Sequence, residues 1–303
     1  MLQDVNSNLR LPLAPTETGF LQELNDQHTF EVLSFLSAHP LHTFVKSSWI
    51  NDNGLVSPMN RGTFHGYRDS AGKLQGVALI GHITLFEAQA EAAFAAFARL
   101  TQTCSSAKVV LSEAKKFRRF MKHYTNEEER PSRLTRELLL QKQSASNLDS
   151  PTDLRRAHPE ELDLVLPIHA QAAFEESGVS PLDVDANGFR KRCARRLKQG
   201  RVWIAREEGR IRFKADVVSD TPEVVYLEGV YVSPEHRGNG YGARCMIQLT
   251  NQLLARTKSV CLLVDENNSV ARTSYSKAGF QFREYYYALF LKSQSSCLPG
   301  EAA

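Results

Sequence analysis

Three glycines, Gly238, Gly240 and Gly242, fall within five residues of one another in the stretch Val230–Gly242, VYVSPEHRGNGYG. An apolar, strand-like run leads into them and an amphipathic helical pattern leads out. Glycine lets a backbone turn sharply and approach a ligand closely. The first turn of a helix leaves N–H groups without partners, and the helix dipole adds positive potential there. Together they make an anion site, and a pyrophosphate is its natural occupant. The spacing is not G-x-x-x-x-G-K-[ST], which excludes a nucleoside-triphosphatase loop. A dinucleotide fingerprint is also disfavoured. The preceding strand ends a meander rather than opening a βαβ unit, and Asp265 runs on into Glu266-Asn267-Asn268. The bland alternative is a glycine-rich turn that only joins strand to helix.

A second constellation lies downstream: Asn268-x-x-Ala271-x-x-x-Tyr275, then Gly279-Phe280. With Arg237, Gly240 and Gly242 as R-x-x-G-x-G, this order resembles the GNAT superfamily of acyl-CoA-dependent N-acyltransferases. The resemblance covers Thr152 to Leu291. It implies a mixed α/β sheet whose fourth and fifth strands, Val224–Val232 and Val260–Val264, run parallel and then splay. The pantetheine of acetyl-CoA, or another short acyl-CoA, would lie in the splay. Backbone of Val230, Tyr231 and Val232 would line it. Arg237, Gly238, Asn239, Gly240, Tyr241 and Gly242 would hold the pyrophosphate, and Asn268 would bond cofactor or helix backbone. As an N-cap, Asn268 has a structural role open to it as well. The resemblance implies no metal.

Acyl transfer to an amine needs a base, because a lysine-like ammonium titrates near ~10.4. It also needs a proton donor for a thiolate whose parent thiol titrates near ~8.5. Tyr275 occupies the family's acid position; the alternative is a tyrosine that packs the helix on the sheet. Glu228 is the base candidate. Strict alternation would put Tyr226, Glu228, Val230 and Val232 on one strand face. A lone carboxylate in an apolar strand has its pKa pushed up, which suits a base. A glutamate paired with an arginine, or standing at a solvated sheet end, fits the residues as well. Gly229 allows close approach or marks a bulge. His236, inside the loop, reads as a solvated residue, and His39, His42, His65 and His82 lack metal-ligand spacing.

The elements that must position these groups fall into two halves around a polar stretch, Gln141–Pro151. The expected domains are 1–145 and 152–292. The second reads as helices at Glu160–Glu176 and Asn187–Gln199, strands at Val202–Arg206, Ile211–Val218 and Val224–Val232, then a helix Tyr241–Arg256. A strand, a helix Ser269–Ala278 and a last strand through Tyr285–Leu291 complete it. The first half reads as mixed α/β: a helix capped by Asp26, a hairpin of Thr63–Tyr67 and Leu74–Ile80, an alanine-rich helix Glu87–Leu100, a strand Val109–Leu111, a helix, and a strand near Leu134–Leu140. Gly66–Gly81 and Val202–Val218 share one strand–turn–strand pattern, a faint repeat. The first half also resembles the N-terminal domain that accompanies some bacterial GNAT domains, a degenerate copy of the fold. It lacks R-x-x-G-x-G, which implies lost cofactor binding. Two tandem GNAT-like domains are therefore expected.

Composition narrows the class. The chain has 303 residues, a net charge of +3 and 42% hydrophobic residues, values of an ordinary globular protein rather than a disordered or globally basic one. No apolar run approaches the ~18 residues of a membrane span, and MLQDVNSNLR has no secretory pattern. Five scattered cysteines without a C-x-x-C pair argue against a disulfide framework and for a reducing cytoplasm. Arg190–Lys214 holds eleven basic and two acidic residues, either a solvated face or an attraction for an anion. Aromatic residues are sparse there, which disfavours nucleic acid. The reading is an acetyltransferase acting on a small-molecule, peptide or protein amine, with no membrane partner. The alternatives are a non-catalytic acyl-CoA-binding protein and a tandem transferase using aminoacyl-tRNA or a peptide.

Overall fold

The computed structural model describes residues 19–124, 133–147 and 152–291. The first half runs β1 (Phe20–Glu23), α1 (Thr29–Leu36), α2 (Pro40–Asn53), β2 (Gly62–Arg68), β3 (Leu74–Gly81), β4 (Ile83–Ala88), α3 (Glu91–Thr103), β5 (Val109–Glu113), α4 (Ala114–Met121) and β6 (Arg133–Lys142). The second repeats that order: β7 (Arg155–Arg156), α5 (Leu162–Ser177), α6 (Pro181–Lys198), β8 (Val202–Glu207), β9 (Arg210–Asp220), β10 (Val225–Val232), α7 (Tyr241–Leu254), β11 (Val260–Asp265), α8 (Ser269–Lys277) and β12 (Gln281–Phe290). The faint repeat seen in sequence corresponds to equivalent hairpins, β2–β3 and β8–β9. The β8–β9 turn is tight because Glu208 and Gly209 both take positive φ, 46° and 79°, the handedness that matches strand twist.

Three local expectations are corrected. Glu87 and Ala88 end β4 instead of opening a helix; the helix starts at Glu91, after the short connection Gln89-Ala90. Asn25, not Asp26, caps the first helical turn, with its side chain accepting from Gln27 N at 3.1 Å. Asp26 instead accepts from Leu55 N at 2.7 Å, which ties the end of α2 back to the start of α1. The polar stretch after Gln141 begins inside β6, so only its later residues leave the sheet, and residues 148–151 lie outside the described residues.

All twelve strands form one sheet in the order β1-β2-β3-β4-β5-β12-β6-β11-β10-β9-β8-β7. The halves exchange their last strands. β6 lies antiparallel to β11 from Lys142↔Val260 to Glu137↔Asp265. β12 lies antiparallel to β5 from Tyr286↔Glu113 to Phe290↔Val109, and β6 and β12 pair along the middle. A parallel fifth strand offers an edge that an antiparallel final strand can satisfy, and each half takes that strand from the other. One face of the second half's strands is covered by α7 and α8 around Val225, Leu227, Met246, Leu249, Leu262 and Tyr275. The first half mirrors it with Phe86, Phe94, Phe97 and Phe120 against α3 and α4. On the other face α2 reaches across the exchange. Phe44 packs on Tyr226, ring centroids 4.7 Å apart, beside Leu139, Cys261 and Tyr286.

At the far edge, Glu161 holds the start of α5 to β8. It accepts from Arg155 at 2.8 Å and from Arg206 at 2.5 Å, and its carboxyl also takes the His158 N–H at 2.8 Å. Those donors hold its pKa down to about 2 from an ordinary 4.5, the Arg155 hydrogen bond first among them.

Two outcomes are expected. Residues 1–147 and 152–303 expressed separately should fail to give folded monomers, while co-expression should return a co-eluting pair with native-like circular dichroism; a stable, monodisperse single half would contradict the exchange. Glu161→Gln should lower the melting temperature at pH 7. A carboxylate with a depressed pKa stabilises above its unfolded value and loses that contribution as pH falls toward its folded one. The gap from wild type should therefore shrink as pH drops from 4.5 toward about 2 in thermal melts.

Candidate active site

β10 and β11 pair in parallel over only three positions, Val225↔Val260, Tyr226↔Cys261 and Leu227↔Leu262. Beyond Leu227 they part. On its other side β10 stays with β9, but the register slips: Glu228 faces Asp216, and the next pair is Tyr231 with Lys214. Two residues, Gly229 and Val230, thus oppose one, a β-bulge, and Gly229 sits at φ +56°. The bulge bends β10 away from β11 and opens a crevice.

The bulge also corrects the expected strand face. Tyr226 packs with Phe44 on the α2 side, and Glu228 follows it. Val230 and Val232 pack instead with Val225 and Leu227 on the α7 side, while Tyr231 joins the cluster under α5 and α6. One inserted residue flips the alternation. Glu228 is exposed rather than set in an apolar wall, and the Tyr226 hydroxyl donates to its carboxylate. Burial, with the Glu228 charge beside it, pushes the Tyr226 phenol well up.

The glycine loop lies at the open end of the crevice. Gly238 and Gly240 have φ +81° and +78°, conformations that side chains rarely adopt. A Cβ on Gly238 would meet open space. One on Gly242 would stand 2.8 Å from Val232 Cγ2, so only glycine lets α7 start this close to β10. Two loop amides are satisfied internally: Arg237 N donates to Pro234 O at 3.2 Å and Tyr241 N to Asn239 Oδ1 at 3.0 Å. Among the described residues no acceptor meets the N–H groups of Gly238, Asn239, Gly240, Gly242 or Ala243. Five donors at a helix N-terminus, with no Cβ over three of them, fit a pyrophosphate. Ala243 was not singled out in the sequence; its place as third helical residue was the available signal. The Arg237 side chain braces the loop, Nε to Val232 O at 2.9 Å. Tyr241 turns its ring inward beneath Arg212.

Tyr275, on α8, is 9% exposed within the α7-side core and edges on Phe280. Its hydroxyl has no hydrogen-bond partner among the described residues, and burial pushes its pKa up to about 12. Asn268 caps α8, accepting from Ala271 N at 3.0 Å. Tyr275 and Glu228 therefore stand on opposite faces of the sheet, connected only where β10 and β11 separate.

A buried charged cluster behind the bulge was not anticipated. Lys214 Nζ lies 2.7 Å from Asp216 Oδ2 and donates to Gly229 O at 3.1 Å. His169 of α5 and Arg196 of α6 reach the same carboxylate at 3.2 and 3.3 Å. Burial first, then the neighbouring cations, push the His169 pKa down to about 3, so it is neutral. The signal was in IRFKADVV, where two charges occupy inward positions of an apolar strand. The basic stretch Arg190–Lys214 is largely absorbed by such pairs: Arg190 with Asp163, Arg192 with Asp185, Arg201 with Asp52, Arg206 with Glu161, Arg212 with Asp153.

The first half has its own parallel pair, Ile83↔Val109 and Thr84↔Val110, which also ends early. Ion pairs fill the space beyond it. Lys116 lies 2.7 Å from Glu87 and 3.5 Å from Glu113, and His42 lies 3.1 Å from Glu113. Lys46 Nζ reaches Phe86 O at 3.4 Å. No glycine loop follows β4.

Residues 215–289 match the family model of FR47-like proteins. Solved structures align along the length of the chain. An acetyltransferase from the GNAT family of Colwellia psychrerythraea has a TM-score of 0.58 at 14% identity, covering 90% of this chain and all of its own. The chain has the GNAT fold. A GCN5-related N-acetyltransferase from Sphaerobacter thermophilus aligns at TM-score 0.57 and 12% identity, covering 91% of this chain and 96% of its own. A tandem GNAT protein from the clavulanic acid biosynthesis pathway aligns at TM-score 0.59 and 12% identity, covering 92% and 99%. No curated relative matches the sequence. Among the described residues no helix is long and apolar enough to cross a membrane, and no group of His, Cys, Asp and Glu could hold a metal ion.

Gly240→Val should place a β-branched side chain at φ +78°, a conformation costing about 1–2 kcal/mol for non-glycine residues. Isothermal titration should find acyl-CoA affinity down at least about tenfold, the equivalent of ~1.4 kcal/mol, with the fold retained by circular dichroism. Unchanged affinity would remove the loop from cofactor binding.

Proposed function

We propose that the chain is an N-acyltransferase that uses acetyl-CoA, or another short acyl-CoA, as co-substrate and a primary amine as acceptor. One observation carries this reading: five unpaired N–H donors stand at the mouth of a crevice opened by a bulged β10. The residues fit the co-substrate. Gly238, Asn239, Gly240, Gly242 and Ala243 would take its pyrophosphate. Val230 and Val232, half-buried on the α7 side, would flank its pantetheine arm.

The acyl group would then reach the gap where the two sheet faces communicate. The amine nitrogen bonds to the thioester carbon, the carbonyl electrons move onto oxygen, and the C–S bond breaks as the carbonyl re-forms. The proton leaving the amine goes to a base on the α2 side, directly or through water. Glu228 is exposed on that side and oriented by the Tyr226 hydroxyl, which suits this role. The departing thiolate meets the α7 side, where Tyr275 lies. With a pKa near 12, Tyr275 is a poor source of a free proton but a firm hydrogen-bond donor to a thiolate whose thiol titrates near ~8.5. The ion pairs in the first half's crevice favour a single active site.

Tyr275→Phe should lower kcat by about 10–100-fold while the acyl-CoA Kd stays within about threefold, the pattern of a contact made in the transition state. Glu228→Gln should lower kcat/KM most at low pH, where the free ammonium must be deprotonated. Thiol release from acetyl-CoA with a panel of amines and peptides measures both. Absence of any acyl-CoA binding would overturn the whole reading; binding without turnover on every amine would favour a sensor.

A further inference from the structure

The Lys214–Asp216 pair is an expensive feature for a strand interior. Lys214 is fully buried and Asp216 is 2% exposed. Taking both charges out of water is costly unless geometry and hydrogen bonds offset it, and replacing such a pair with apolar residues is often neutral or better for stability. Packing alone therefore does not explain it. Its third contact does point somewhere. Lys214 Nζ donates to the carbonyl of Gly229, at 3.1 Å, on the residue that makes the bulge. A Cβ on Gly229 would stand 3.0 Å from that nitrogen and 2.9 Å from Asp216 Oδ2, so the glycine is what lets the backbone approach the pair.

A trans peptide has its C=O and N–H pointing in opposite directions. The Gly229 carbonyl faces Lys214, on the α5–α6 side and toward β9. The N–H of the same peptide group, that of Val230, therefore points away from β9, toward the α7 side and the crevice. The bulge has taken Val230 out of the ladder with β9, and β11 is no longer a neighbour there. A buried cation on the carbonyl end of a peptide strengthens hydrogen-bond donation at its N–H end.

We propose that Lys214 is a positioning residue for acyl transfer: its ammonium, fixed by Asp216 and bonded to the Gly229 carbonyl, aims and polarises the Val230 N–H toward the thioester carbonyl oxygen in the crevice. This rests on the acyl-CoA reading above. As the amine attacks, negative charge builds on that oxygen, and a preorganised donor in a site shielded from water stabilises it. His169 and Arg196 converge with Lys214 on one oxygen, Asp216 Oδ2, at 3.2 and 3.3 Å, which anchors the carboxylate that holds Lys214.

The test reads the carbonyl rather than the turnover. Acetyl-CoA labelled with 13C at the thioester carbonyl is bound to the full chain without acceptor, and its infrared stretch is compared with that in solution. Wild type should show a shift to lower frequency. Lys214→Gln, which keeps a neutral donor to Gly229, should show less of it, and Lys214→Met least. With an active acceptor in hand, kcat for Lys214→Met should fall about tenfold, less than the loss of a direct oxyanion donor, with acetyl-CoA Kd within about twofold. Equal shifts in folded wild type and both variants, or no shift in bound wild type, would overturn the proposal while leaving acyl-CoA binding intact. Failure of wild type to bind acetyl-CoA would instead sink the functional reading itself. If neither variant folds, the Val230 amide proton of wild type decides. It should move downfield with acetyl-CoA but not with free CoA, and identical positions in the two complexes would reject the idea.

Discussion

The loss of hydrogen bonding between β10 and β11 after Leu227 governs the chemistry available to this chain. A parallel pair that continued would have closed the sheet and left Tyr275 sealed on one face and Glu228 on the other. The bulge prevents this. It inserts one residue opposite β9, bends β10, and leaves backbone groups of the strand facing a gap instead of a neighbour. The energetic burden is modest because what lies on each side is well packed. Val230 and Val232 keep their contacts with the α7 core, and Tyr231 keeps its own under α5 and α6. Helix α7 then begins at the mouth of the gap, with Gly242 against Val232, and brings its unpaired amides to the place where a charged ligand end would sit.

The glycine loop was legible from sequence because its chemistry is written in residue types. Only glycine suits φ near +80° and an approach as close as that of Gly242 to Val232, and three such residues in five stand out against any background. The Asn268–Tyr275 spacing was legible for a similar reason, a cap followed two turns later by a large residue facing the core. The side on which Val230 and Val232 point was not. Alternation is a rule about regular strands, and a single positive-φ glycine reverses it without changing the composition of the run. The apolar neighbours of Glu228 in sequence face other ways in space. The Lys214–Asp216 pair was lost within a basic stretch, because charge counting ignores which residues of a strand point inward. The helix expected at Glu87 failed because strand β4 continues through two residues with good helix propensity, held by its ladder with β3.

The two halves are variations on one plan, and their difference is informative. Glu87 and Glu228 both end up on the α2-facing side of the strand that precedes a parting, yet Glu87 is 2% exposed and bound by Lys116, whereas Glu228 is open to solvent. In the first half paired side chains stand beyond the strands; in the second the carboxylate stays open to solvent. The first half still contributes directly. Its helix α2 puts Phe44 on Tyr226, the residue that orients Glu228, and Ser219 of β9 donates to the Phe44 carbonyl at 2.7 Å. The first half thus forms part of the wall beside the second half's crevice.

The exchange of β6 and β12 also bears on how the chain is made. During synthesis β6 emerges well over a hundred residues before β11, its neighbour in the finished sheet, and β5 waits longer still for β12. Until the last stretch leaves the ribosome, two strand edges stand open, each ready to pair with another nascent copy. A high proportion of contacts between distant residues slows closure and lengthens that exposure. Yield in a cell would accordingly depend on chaperone capacity and growth temperature more than on the stability of the finished fold.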